Sequence, residues 1–200
     1  MKTTMMRKIQ TIAMILVAAL ALGAAQAQAQ VSVPSTNVPQ SIPDGTSPGV
    51  PGVPAVSTLN FNVTTTNGVT DADVSWSVTH TFDADLWFSL SSPTVGLTVI
   101  FANCGGSGDN FNGTIVSDQG AAPDCVAGGP FAGTFQGTDT GGVPNPTAMA
   151  IFNGAAEQMG TWTLSIQDDS PADLGTLTAW SLTLNGPPPL PVELMNFEVK

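Results

Sequence analysis

The sequence has no tyrosine, one histidine, two cysteines and only four basic residues. Each shortage closes off a class of function. Lys2, Arg7 and Lys8 stand within the first eight residues, so beyond them a single base, Lys200, faces 15 acidic side chains. A chain so poor in cations cannot neutralise a phosphate backbone or an anionic bilayer, which argues against nucleic-acid binding and membrane-surface adhesion. With one histidine, any Ser-His-Asp triad would have to use His80. Two cysteines with no histidine nearby are too few for a closed zinc site. After residue 25 no apolar run is long enough to span a membrane.

What is present begins with a leader. Lys2, Arg7 and Lys8 precede the apolar stretch from Ala13 to Ala25, and Ala25-Gln26-Ala27 and Ala27-Gln28-Ala29 supply the small-x-small pattern that a signal peptidase reads. Residues 1–29 therefore read as a signal peptide. Its removal would leave a net charge of about −14, one base against 15 acids, a surface whose natural partners are divalent cations. In an oxidising compartment Cys104 and Cys125, both among loop-forming residues, are expected to form a disulfide. Its loop of about 20 residues would be worth about 3 kcal/mol on the chain-entropy account.

Residues 30–41 are polar with spaced prolines and read as a linker, and the folded domain is expected over 42–186. Within it, period-two alternation marks short strands. Leu59, Phe61 and Val63 share one face; so do Val74, Trp76, Val78 and His80; so do Leu86, Phe88 and Leu90. Leu97 to Ala102 is more continuously apolar, which suggests a central strand. Residues 103–145 are rich in Gly, Asp, Asn and Pro and read as long loops, with Ala148 to Phe152 a further short strand. Trp162, Leu164 and Ile166 alternate again, and from Leu177 to Trp180 the period slips, which predicts a bulge near Ala179. About eight short strands with no long helical period predict an all-β fold, a jelly-roll β-sandwich.

These segments also fall in a recognisable order. Ile42-Pro43-Asp44, VTDADVSWSVTHTFDADLWFSLSSP (69–93), GGSGDNFN (105–112) and AIFNGAAEQMGTWTLSIQDDSPADLGTLTAWSLTL (150–184) together resemble the P domain, or P/Homo B domain, that follows the catalytic domain in proprotein convertases and many bacterial subtilisin-like proteases. The resemblance implies a jelly roll that stabilises or regulates an adjoining serine endopeptidase, often with calcium. It implies a secreted, extracellular or cell-surface setting in a bacterium, and a partner that is a subtilisin-like protease or another extracellular protein. The 200 residues leave no room for a catalytic domain, so the chain is expected to be non-catalytic. The tail, 187–200, reads as a Pro-rich spacer and the start of a next module.

Three oxygen-rich clusters are candidates for calcium, which takes six to eight hard oxygen ligands. Asp168, Asp169 and Asp173 crowd one turn, Asp71 and Asp73 open a strand, and Asp109 and Asp118 lie among Asn and Gly near the disulfide. Each can equally be explained without a metal, because aspartates cap turns through backbone amides. Asp83 and Asp85 bracket a corner between strands, where that structural role is favoured. His80, in phase with Val74, Trp76 and Val78, reads as a hydrogen-bonded core residue rather than a general base. Gly45-Thr46-Ser47 resembles a subtilisin serine motif, but prolines at 48, 51 and 54 forbid the helix that motif opens. The competing function is a surface module that binds carbohydrate or protein, with Trp87, out of phase in its strand, as a candidate exposed aromatic.

Overall fold

The computed structural model describes residues 30–47, 52, 68–127, 129, 131–154 and 160–186, together with the backbone of 55–61. The leader, the tail from 187 onward and Val63 lie outside the described residues. The described chain is all-β.

Two sheets carry the fold. In the larger, β4 (Asp71–Thr79) lies between β12 (Gly175–Asn185) and β7 (Phe111–Ala121), with β8 (Phe131–Phe135) beyond β7. The far side of β12 holds β1 (Gln30–Pro34) at one end and β2 (Gln40–Ile42) at the other. The smaller sheet runs β3 (Ala55–Phe61), β11 (Gly160–Asp168), β5 (Leu86–Ser91), β6 (Thr98–Ala102). Pairing is antiparallel throughout except between β7 and β8. A two-stranded ribbon, β9 (Gly137–Thr138) with β10 (Pro144–Asn145), completes the set.

Alternation decides which face is buried. Ala72, Val74, Trp76 and Val78 of β4 are buried while the residues between them are not, as a strand with one core face requires. Trp162, Leu164 and Ile166 of β11 and Leu177, Trp180, Leu182 and Leu184 of β12 do the same from their sheets. The sheets meet where Trp76 stacks on Phe88 at 4.4 Å and 13°, with Phe101 and Phe111 edge-on to Phe88. Each such ring contact adds about 0.5–1.5 kcal/mol beyond the area it buries. The bulge expected near Ala179 is present: the register of β12 on β4 shifts between Leu177 and Ala179, and the Thr178 hydroxyl donates to Ser77 O.

Four expectations are corrected. Residues 30–41 are not a free linker: Val31 and Val33 sit in β1 opposite Leu184 and Leu182, so this stretch is an edge of the larger sheet. The apolar stretch 97–102 is an edge strand, not a central one. It stays apolar because another segment covers its edge: the Thr138 hydroxyl accepts from Ala102 N and donates to Ala102 O. Residues 103–145 are not all loop. β7 is eleven residues long, and its period is broken by exposed Asn112 and by Gly113 at φ +65°, where the register on its neighbours shifts. Finally, Ala150–Phe152 is a 3-10 turn rather than a strand, burying Phe152 against Trp162.

Candidate functional site

The acidic turn between β11 and β12 is built by alternation carried one step too far. Trp162, Leu164 and Ile166 face the core, and the next in phase is Asp168, fully buried. β4 does the same with Val74, Trp76, Val78 and then His80, which is 2% exposed. The two polar residues meet: His80 Nε2 lies 3.0 Å from Asp168 Oδ2. The other ring nitrogen lies between Phe82 O at 2.9 Å and Phe82 N at 3.2 Å. Gly175 stands where an added Cβ would come within 2.6 Å of the imidazole, so glycine is needed there.

The rest of the turn is answered by donors. Asp168 Oδ1 accepts Ser170 N, and Asp173 accepts the Thr81 hydroxyl. Asp169 accepts the Ser170 hydroxyl and donates its amide to Asp85 O. The segment before β3 closes over the turn, with Gly45 N on Ser170 O, Gly52 N on Asp168 O and Ala172 N on Asp44 Oδ2. Asp44 is a participant that the acidic pattern did not mark. Crowding still leaves a trace on Asp85, whose carboxyl is raised by burial and then by Asp168 and Asp169, with Ser170 opposing.

The strand-entrance carboxylates also converge. Asp71, Asp73 and Asp118 come from β4 and from β7 beside it, and Asp109, grouped with Asp118 by sequence, does not join them. Asp71 is held by Gln119 and Asn185, and Asp118 accepts Met149 N. Asp73 is raised by burial, against a hydrogen bond from Ser117, and then by Asp71 and Asp118.

Asp109 lies instead beside Asp83, at the opening of the disulfide loop. Asp83 begins the 3-10 turn Asp83–Asp85 and is 0% exposed. Its amide donates to Gly108 O and that of Ala84 to Gly106 O, which pins the turn under the loop. The Cys104–Cys125 disulfide, present as expected, ties this loop to residue 125, and Gly105 N donates to Cys125 O. Asn110, at φ +69°, turns the chain so that its side chain accepts His80 N while its own amide donates to His80 O. Both carboxylate oxygens of Asp83 lack a hydrogen-bond partner. Gly129 closes the other side. A Cβ there would lie 2.6 Å from Asp83 Oδ2 and 3.4 Å from each of Asp109 O and Asn110 O, so three oxygens surround one small space. Burial pushes the Asp83 carboxyl up to about 7, opposed by the Asn110 backbone and reinforced by the Asp109 carboxylate.

Among the described residues, no three His, Cys, Asp or Glu side chains are placed to hold one metal ion. Any cation site would therefore need main-chain carbonyls. Trp87, the candidate exposed aromatic, is only partly buried and donates to Asn103 Oδ1. An open groove of about 510 Å³ is lined by Val78 and Phe111 as well as by Thr79, Asp109, Asn110 and Asn112.

In sequence, the family model described as the proprotein convertase P-domain matches residues 137–184, from β9 to β12. No curated protein matches the chain. Among solved structures, it is similar to the serine protease of Aeromonas sobria, at 17% identity and a TM-score of 0.41, covering 84% of this chain and 29% of that one. It is likewise similar to that protease in its complex with a chaperone, at 16% identity and a TM-score of 0.43, covering 86% and 29%. The chain thus spans less than a third of the length of either protein. The resemblance read from the sequence is matched by the family model over the closing strands only: residues 137–184, which include the acidic turn, are similar to a P domain.

Proposed function

We propose that the chain is a secreted, calcium-assisted P-domain module, accessory to a subtilisin-like serine endopeptidase and without catalytic activity of its own. The observation that carries this reading is the P-domain match over residues 137–184. The chemistry of the described residues supports the non-catalytic part, because His80 is buried between Asp168 and the Phe82 backbone and offers no free ring nitrogen to a substrate. The cation supports itself on charge. The described residues include no Lys or Arg to answer their carboxylates.

Co-incubation tests this. The purified chain is expected to leave a panel of peptide substrates intact and to slow the thermal inactivation of a subtilisin-like protease secreted by the same organism. Hydrolysis blocked by a serine-directed inhibitor would overturn the non-catalytic reading, and an unchanged inactivation rate would overturn the accessory one. One observation favours a second reading, a carbohydrate- or protein-binding surface: the open groove in which Phe111 lies beside Asp109 and exposed Asn110 and Asn112. Specific hits on a glycan array, lost in Asn112→Ala, would favour it.

A further inference from the structure

The chain carries a fully buried carboxyl group for which its own described residues supply no hydrogen bond of ordinary geometry. An ionised carboxylate out of water must be paired, coordinate a metal or give up its charge. Asp168 finds His80 and Ser170 N; Asp83, equally buried at 0% exposure, makes no hydrogen bond of ordinary geometry with either oxygen, and only the backbone of Asn110 offsets its burial. No side-chain cation is at hand, since the described residues contain no Lys or Arg and the histidine is committed elsewhere.

What surrounds Asp83 is more oxygen. Asp109 O and Asn110 O converge with Asp83 Oδ2 on the space that a side chain at position 129 would fill. Main-chain carbonyl oxygens and a carboxylate oxygen that border the same small space repel one another unless a positive charge stands between them. The Asp109 carboxylate adds a second acid close by. The neighbouring cysteines are locked in a disulfide, so the donors are all hard oxygens. Carbonyl-rich loops of irregular geometry suit calcium, whereas magnesium demands a near-ideal octahedron and zinc prefers nitrogen and sulfur.

We propose that Asp83, together with the main-chain carbonyls of Asp109 and Asn110, forms a calcium site roofed by the disulfide loop. This rests on the calcium part of the reading above and moves its location: the ion sits in the corner between β4 and β5, outside the 137–184 match, and not in the acidic turn. The site orders the loop 105–110 on which one wall of the open groove is built. Calcium modules in extracellular proteins bind in the range of about 10⁻⁴–10⁻³ M, and this site belongs in that range.

The test compares the purified chain with Asp83→Asn and Asp173→Asn, each in chelator and in calcium chloride at about ten times the dissociation constant expected for such a module. The wild-type chain should bind one calcium in equilibrium dialysis, and its Tm should rise by a few degrees. Asp173→Asn should keep both properties, and Asp83→Asn should lose at least about tenfold in calcium affinity together with the Tm shift. Hydrogen exchange on the wild-type chain gives a reading that does not depend on the variant folding: calcium should slow the amides of 105–110 and leave those of 168–173 unchanged. Retention of the calcium response in Asp83→Asn, or protection confined to 168–173, overturns this location and leaves calcium assistance standing. A wild-type chain that binds no calcium overturns both, while the protease co-incubation still decides the accessory role.

Discussion

The acidic turn and the Asp83 corner invert what their sequences suggest. Asp168, Asp169 and Asp173 crowd into six residues and read as a place for a metal, yet histidine, hydroxyl and amide donors meet them. Asp83 reads as one more corner aspartate, yet its carboxylate is fully buried with neither oxygen answered. The density of acids along a chain measures repulsion, and donors recruited from elsewhere can absorb it. Whether a carboxylate needs an ion depends on the donors that the fold brings to it, which is a property of distant segments.

The sharpest way to break this comparison is to remove the donor that distinguishes the two regions. His80→Ala should leave Asp168 Oδ2 without its hydrogen-bond partner and a cavity where the buried imidazole stood, costing about 3–5 kcal/mol together. Denaturant unfolding should show that loss equally in chelator and in calcium. A loss that calcium repairs would mean that the turn, once stripped of its histidine, can use the ion too. A smaller effect is expected at the corner. In Gly129→Ala the new methyl would press on Asp83 Oδ2, costing about 1–3 kcal/mol as an overpacked site. Here the Tm difference between calcium and chelator should collapse as well, a pairing of effects that His80→Ala should not show.

The smallest effect separates both regions from the strand-entrance cluster. Burial holds the Asp73 carboxyl above its unfolded value, so its contribution is complete in acid and is lost as pH rises through the folded value. Asp73→Asn should therefore raise Tm slightly at neutral pH, and the gain should vanish as pH falls below the ordinary carboxylate range. Tm followed against pH checks it, and a gain that is constant with pH would assign the change to packing instead.

Much of the fold was legible where one strand face is buried and the other is not. Val74 to His80 show their period because burial alternates with it, and Leu86 to Leu90 and Trp162 to Ile166 show it in residue type although Ser89 and Ser165 on the other face are buried too. β7 was hidden because Gly113 at φ +65° and exposed Asn112 interrupt its period at a register shift. β6 was misplaced because an edge covered by a side chain has the same apolar composition as a central strand. Within the site, the alternation that buried His80 and Asp168 was readable one strand at a time, but their meeting depends on β4 and β11 facing each other from opposite sheets. Asp83 could not be read locally, because its environment comes from residues 105–110 and 129. The signal that could have marked it is the shortage of bases in a chain whose corner aspartate precedes a Gly-rich, oxygen-rich loop.

The Thr138 hydroxyl that grips both the N–H and the C=O of Ala102 has a consequence beyond the packing of β6. A bare strand edge is a template on which another chain can add itself. One hydroxyl presents to β6 the donor and acceptor that an invading strand would bring there, so the edge is already occupied at its most apolar end. A single side chain of the two-stranded ribbon thus closes the β6 edge at Ala102 to strand addition.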